Sequence, residues 1–104
     1  MKLTTLLENL EYTCCQGGTD LDIADVVYDS RKVQPKDLFV CIRGAVVDGH
    51  TFAREVADKG AAALVVEENV DVPENVTVIQ VPDTRYALAC ISAAYFGHPA
   101  RELT

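Results

Sequence analysis

The residues best equipped for chemistry lie between Asp29 and His50. Asp29-Ser30-Arg31 follows the apolar run Val26-Val27-Tyr28, so a carboxylate, a hydroxyl and a guanidinium arrive together at the end of an expected strand. A second apolar run, Leu38-Phe39-Val40-Cys41-Ile42, leads into Gly44-Ala45-Val46-Val47-Asp48-Gly49-His50, where two glycines leave the backbone unhindered. A hydroxyl and backbone N–H groups beside a guanidinium can hold phosphate oxygens or the carbonyl oxygens of a nucleobase. The combination suits gripping an anionic small molecule. It does not supply a nucleophile with its base.

Each of these residues also has a plainer reading. Ser30 can simply close a turn in which Asp29 pairs with Arg31 or caps nearby amides. Gly44 and Gly49 can provide positive φ for a tight connection, and Asp48 can cap a following helix. His50 has no acid, cysteine or second histidine near it in sequence, which makes it a weak general base. His98, beside Pro99, suits the field at a helix C-terminus. Neither a dinucleotide fingerprint nor a phosphate-binding loop with its lysine occurs anywhere in the chain. No Ser-His-Asp or Cys-His set and no metal-ligand cluster can be assembled from local spacing. The chain reads as one that binds, with no catalytic residue and no metal ligand assigned.

Composition narrows the partners. Nine Lys plus Arg against sixteen Asp plus Glu give a formal net charge of −7, so nucleic acid and anionic membrane are not expected partners. An anionic ligand needs a local site that overcomes this field. No run approaches the roughly 20 apolar residues of a membrane span, and the N-terminus has no leader pattern, so a cytoplasmic location is expected. Cys14 and Cys15 are adjacent and ill suited to bridge each other, while Cys41 and Cys90 fall within apolar patterns; all four are expected to be thiols without redox or metal duty.

The elements that must position the site follow from periodicity. Leu3, Leu6, Leu7 and Leu10 predict a helix over the first ten residues. Gly17-Gly18-Thr19-Asp20 predicts a turn, Ile23 to Tyr28 a strand, Pro35-Lys36-Asp37 a turn, and Leu38 to Ile42 a strand. Thr51 to Lys59 reads as a helix stopped by Gly60, and Ala62 to Val66 as a strand covered on both faces. Val76 to Val81 is a further strand, and Asp83 or Thr84 caps a helix that Gly97-His98-Pro99 should end. These elements predict a single α/β layered domain with a mixed, largely parallel sheet and about three helices. In such sheets ligands bind beyond the carboxyl ends of the strands, where both polar motifs fall.

Four stretches together carry a family resemblance: Val27-Tyr28-Asp29-Ser30-Arg31-Lys32-Val33; Asp37-Leu38-Phe39-Val40; Gly44 with Asp48-Gly49-His50 and Phe52; and Gly60-Ala61-Ala62-Ala63. With Val81 to Ala89 and Ala94 to Pro99, they resemble the N-terminal domain of the Mur ligases over nearly the whole chain, with the MurE type (UDP-N-acetylmuramoyl-tripeptide synthetase) nearest in its motifs. The resemblance implies an ATP-dependent ligase that adds the third stem-peptide residue, meso-diaminopimelate or L-lysine, to UDP-N-acetylmuramoyl-L-alanyl-D-glutamate in peptidoglycan synthesis.

The resemblance implies that residues 1–104 form the UDP-binding domain, with no cofactor of its own. ATP and Mg²⁺ would belong to a central domain, and amino-acid selection to a C-terminal domain, both expected beyond Thr104; these two domains and the UDP-muramoyl dipeptide are the implied partners. Ser30 and Tyr28 correspond to uridine-diphosphate contacts. Ala45, Val46 and Val47 fall in a loop that touches the nucleotide, where their apolar side chains leave backbone amides to serve. Asp29, Arg31, Gly44, Asp48, Gly49 and His50 are supporting residues. The MurF type, which shares these motifs, and a free-standing α/β interaction module remain as alternatives.

Overall fold

The computed structural model describes residues 2–8, 10–42, 52–68 and 70–102, with side chains through residue 95. A five-stranded sheet has the order β1-β5-β4-β3-β2. Its strands are β1 (Thr13–Gln16), β2 (Val26–Val27), β3 (Leu38–Val40), β4 (Ala63–Val66) and β5 (Thr77–Gln80). β2 to β5 run parallel, while β1 is antiparallel to β5. The mixed, largely parallel sheet is thus the one expected.

Alternation along the strands splits the core into two layers. Leu38, Val40, Ala63, Val65 and Ile79 face one side, where they meet Leu3 and Leu6 of helix α1 (Leu3–Leu6) and Ala87 and Ile91 of helix α3 (Thr84–Glu102). Phe39, Leu64, Val66 and Val78 face the other side, against Ala53 and Val56 of helix α2 (Ala53–Asp58). β4 is buried at all four residues because both of its faces are covered, which explains its unbroken apolar sequence.

Turns set the spacing of these layers. Gly60 adopts φ 101°, and a side chain there would press on the backbone of Pro35 at 3.1 Å. Its carbonyl accepts from the Lys36 N–H at 2.9 Å, so the stop of α2 docks on the turn before β3. Asp37, buried at 3% exposure, closes that turn by accepting from the Gln34 N–H at 2.9 Å.

Several elements differ from their sequence expectation. α1 is one turn long rather than ten residues; Leu10 N–H returns to the Leu7 carbonyl at 3.0 Å, turning the chain toward the sheet edge. The strand expected from Ile23 to Tyr28 pairs with β3 only at Val26 and Val27, on the sheet edge, where Asp25 Oδ1 accepts from the outward Val26 N–H at 2.8 Å. β1, for which no strand was expected, pairs with β5 and carries a bulge between Cys14 and Gln16.

α3 begins where expected, with Asp83 Oδ1 accepting from the N–H groups of Arg85 and Tyr86. It runs through Gly97 and Pro99 to Glu102 instead of ending there. One glycine and one proline cost a helix about 1 and 3 kcal/mol, which weakens it without forbidding it.

Candidate functional site

The carboxyl edge of the sheet holds a cleft of about 600 Å³. One wall is the chain leaving β2, Tyr28 to Arg31. The other comes from α2 and its approach, Phe52 and Glu55, with Phe39 and Ile42 between them. β2 and β3 pair in parallel, so their carboxyl ends open side by side, and α2 lies on the face that Phe39 fills. The crevice follows from this register.

Ser30, Arg31 and Lys32 form a single 3-10 turn, capped by Asp29. Asp29 Oδ1 accepts from the Arg31 backbone N–H at 2.9 Å and from Nε at 3.1 Å, and Oδ2 accepts from Nη2 at 3.0 Å. The Arg31 side-chain hydrogen bond, with that of its backbone N–H, holds the Asp29 carboxyl down at about 2. The same pairing raises the Arg31 guanidinium further above its usual range.

Two of the guanidinium donors are therefore committed to Asp29. The plain reading of this pair is what the structure contains, and Arg31 reaches solvent with its remaining donors. The Ser30 hydroxyl, half-buried at the cleft, makes no hydrogen bond to the described residues. Its carbonyl accepts from Lys59 Nζ at 2.6 Å, across 29 positions of sequence. Tyr28 is 65% exposed, an aromatic ring presented at the mouth.

Of the residues singled out in the sequence, the structure brings together Tyr28, Asp29, Ser30 and Arg31. Gly44, Ala45, Val46, Val47, Asp48, Gly49 and His50 lie outside the described residues. Phe52, Glu55 and Lys59 were missed. The signal was available: positions 52, 55 and 59 fall on one helical stripe beside the apolar one, so a helix facing the Ser30 turn delivers all three to it.

A second depression of about 450 Å³ lies along the same edge near Tyr12, Gln80 and Pro82. Two of its polar side chains are engaged within the protein: Glu67 Oε2 accepts from Thr84 N–H and Oγ1, and Gln80 Nε2 donates to the Glu67 carbonyl. Among the described residues no group of three or more His, Cys, Asp or Glu is placed to hold a metal ion. None of their helices is long and apolar enough to cross a membrane.

Cys41 is buried and Cys90 half-buried, as their apolar settings predict, while Cys14 and Cys15 are exposed; none of the four is in a disulfide. Cys14 pairs opposite Ile79, and the Cys15 sulfur approaches Gln80 Oε1 at 3.5 Å. Ile79 and Gln80 point to opposite faces of the sheet, so the two sulfurs diverge.

Comparison with known proteins bears on what this cleft serves. Residues 22–96 match the model of the "Mur ligase family, catalytic domain". Over 103 residues the chain is 44% identical to the UDP-N-acetylmuramoyl-L-alanyl-D-glutamate--2,6-diaminopimelate ligase of Clostridium perfringens, covering 99% of this chain and 21% of that protein. The ligase of the same name from Bacillus licheniformis is 47% identical over 104 residues, with the same shares covered.

Among solved structures, MurF from Acinetobacter baumannii is similar with a TM-score of 0.79 at 24% identity, over 89% of this chain and 20% of that one; this likeness speaks for the fold. MurF from Thermotoga maritima, solved in complex with ADP, has a TM-score of 0.61 at 27% identity, over 70% of this chain and 17% of that one. The chain spans about a fifth of the length of these relatives. With a family model matched over residues 22–96 and a sheet of the same architecture, the chain belongs to the Mur ligase family.

Proposed function

We propose that residues 1–104 are the N-terminal domain that binds the uridine-diphosphate end of the acceptor in an ATP-dependent diaminopimelate-adding ligase of peptidoglycan synthesis. The observation that carries this reading is the cleft in which the Ser30 hydroxyl, without a hydrogen bond to the described residues, stands beside the exposed ring of Tyr28. Ser30 would donate to a phosphate or uracil oxygen. The rings of Tyr28 and Phe52 offer flat apolar surface to the base. Backbone amides of Ala45, Val46 and Val47 would complete the grip, supported by Gly44, Asp48, Gly49 and His50.

The names of the relatives favour 2,6-diaminopimelate over L-lysine as the added residue. Identities of 44% and 47% to these ligases, against 24% and 27% to the MurF structures, favour the MurE type over MurF. A free-standing interaction module has no particular observation in its favour.

The contribution of this domain would be orientation. Fixing the nucleotide far from the reacting carboxylate spends remote binding energy on positioning, which lowers the barrier elsewhere. No chemical step is assigned to the chain itself. ATP and Mg²⁺ do not fit the described residues, which offer no metal cluster, and the sequence has no phosphate-binding loop. We assign both to the remaining length of the ligase, with the amino-acid site, and the reaction to the cytoplasm.

Titrating the chain with UDP and following amide shifts by NMR tests the reading. Shifts centred on Tyr28 to Arg31 and Phe52 are expected. Ser30→Ala should weaken UDP binding by about three- to tenfold, the size of one net hydrogen bond. Shifts scattered away from the cleft, or none at millimolar UDP, would overturn the assignment.

A further inference from the structure

The strut between Lys59 and Ser30 is a feature that the nucleotide reading leaves unused. We infer that Lys59 is a positioning residue for the cleft, acting on the ligand through Ser30; the inference rests on the uridine-nucleotide reading of this site. Lys59 is the C-cap residue of α2, where its own N–H returns to the carbonyls of Glu55 and Val56 at 3.1 Å. Its Nζ reaches away from the helix to the Ser30 carbonyl at 2.6 Å, a short charge-assisted hydrogen bond.

That bond joins the two walls of the cleft. Tyr28 and Ser30 stand on the turn after β2, and Phe52 and Glu55 on the segment that Lys59 terminates. The turn is short and carries only three 3-10 residues. The Asp29–Arg31 fork braces it on its own side, but both residues of the fork belong to the turn itself. Among the hydrogen bonds and ion pairs of the described residues, only the Lys59 bond ties the turn to α2. With the Ser30 carbonyl held, the direction of its Cα–Cβ bond is narrowed too, and with it the few staggered positions open to a hydroxyl that makes no hydrogen bond to the described residues. A ligand reaching a preset hydroxyl loses less ordering free energy on binding than one that must organise it.

Lys59 could instead serve as a plain charge for the diphosphate, or as a helix cap with no bearing on binding. Paired variants and ligands separate the three. Lys59→Met removes the ammonium and retains the stem, and Lys59→Arg keeps a donor of similar reach. Uridine and UDP differ by the diphosphate alone. Binding of each is read by NMR titration, and folding by thermal unfolding.

A positioning role predicts that Lys59→Met stays folded, shifts the ligand-free amides of Ser30 to Lys32, and weakens uridine and UDP by the same factor. That factor is about three- to tenfold, as for one net hydrogen bond. Lys59→Arg should restore both to within about twofold, the bond being kept. Unchanged affinities in folded Lys59→Met overturn the inference and leave the nucleotide site standing, as does a loss confined to UDP, which would make Lys59 a direct diphosphate contact. Failure of the unsubstituted chain to bind either ligand overturns the nucleotide reading and this inference with it.

Discussion

Asp29 and Arg31 hold each other through both carboxylate oxygens, with Nε to Oδ1 at 3.1 Å and Nη2 to Oδ2 at 3.0 Å. The pair caps the turn that presents Ser30, so the triplet that looks most like an anion grip is partly closed on itself. Its guanidinium is 86% exposed, so solvent and salt screen the pair and its share of global stability is small.

The titration of Asp29 exposes this pairing. Its carboxyl should titrate near about 2 in the folded chain, against an ordinary value of 3.8, read by the carboxyl carbon shift. A lowered folded value means that the contribution to stability is full above the unfolded value and is lost as pH falls through the folded one. The window is therefore about 4 down to about 2, and neutral pH should leave the turn unaffected. In Arg31→Met the carboxyl should move back toward 3.8. An unmoved titration would mean that the fork does not persist in solution.

Glu67 and Thr84 should prove a costlier pair to break. Thr84 is fully buried, and both its N–H and Oγ1 donate to Glu67 Oε2 at 2.8 Å. Glu67→Ala leaves a buried hydroxyl and a helix N–H without that partner, a loss of about 1–3 kcal/mol by denaturant unfolding. Thr84→Val removes the hydroxyl together with its need for a partner and should cost less. The reverse order would contradict this account.

Gly17 and Thr77 make an equally specific demand. Gly17 has φ 72°, and a Cβ there would stand 2.5 Å from Thr77 Oγ1 and 2.9 Å from its Cα. That hydroxyl is committed to the Gly18 carbonyl at 2.8 Å. Gly17→Ala thus combines left-handed strain with a clash against backbone, and about 1–3 kcal/mol of destabilisation is expected. Gly18→Ala, with open space around its Cβ, should be far milder.

The four thiols should react in two classes. Cys14 and Cys15 are exposed on β1 and should be labelled by a thiol reagent in the native chain. Cys41, buried between the sheet and α2, should stay protected until the domain unfolds. Half-buried Cys90 should react at an intermediate rate. Rapid native labelling of Cys41 would argue against its place in the core.

Where burial imposed a pattern, the chain was legible. The unbroken apolar run at β4 announced a strand covered on both faces, Gly60 announced the stop of α2, and Asp83-Thr84 announced the start of α3, with Asp83 the cap of the two. β1 was not legible, because Thr13-Cys14-Cys15-Gln16 is an exposed edge with a bulge and carries no apolar alternation. Its place depends on pairing with β5, over sixty positions away along the chain. The reach of α3 through Pro99 was equally hidden, since local penalties foretold an end that the helix does not observe.

The amino-acid sequence alone determined the α/β layering, the parallel core and the position of Tyr28, Asp29, Ser30 and Arg31 at a strand end. All of these follow from period, apolar runs and turn residues close together in the chain. Only the tertiary structure decided the far wall of the cleft and the strut from Lys59 to Ser30, while the pairing of Arg31 with Asp29 is the plainer of the two readings that the triplet had offered. The wall and the strut depend on distances between residues up to 29 positions apart, which parallel strand register and helix placement create and no local pattern encodes.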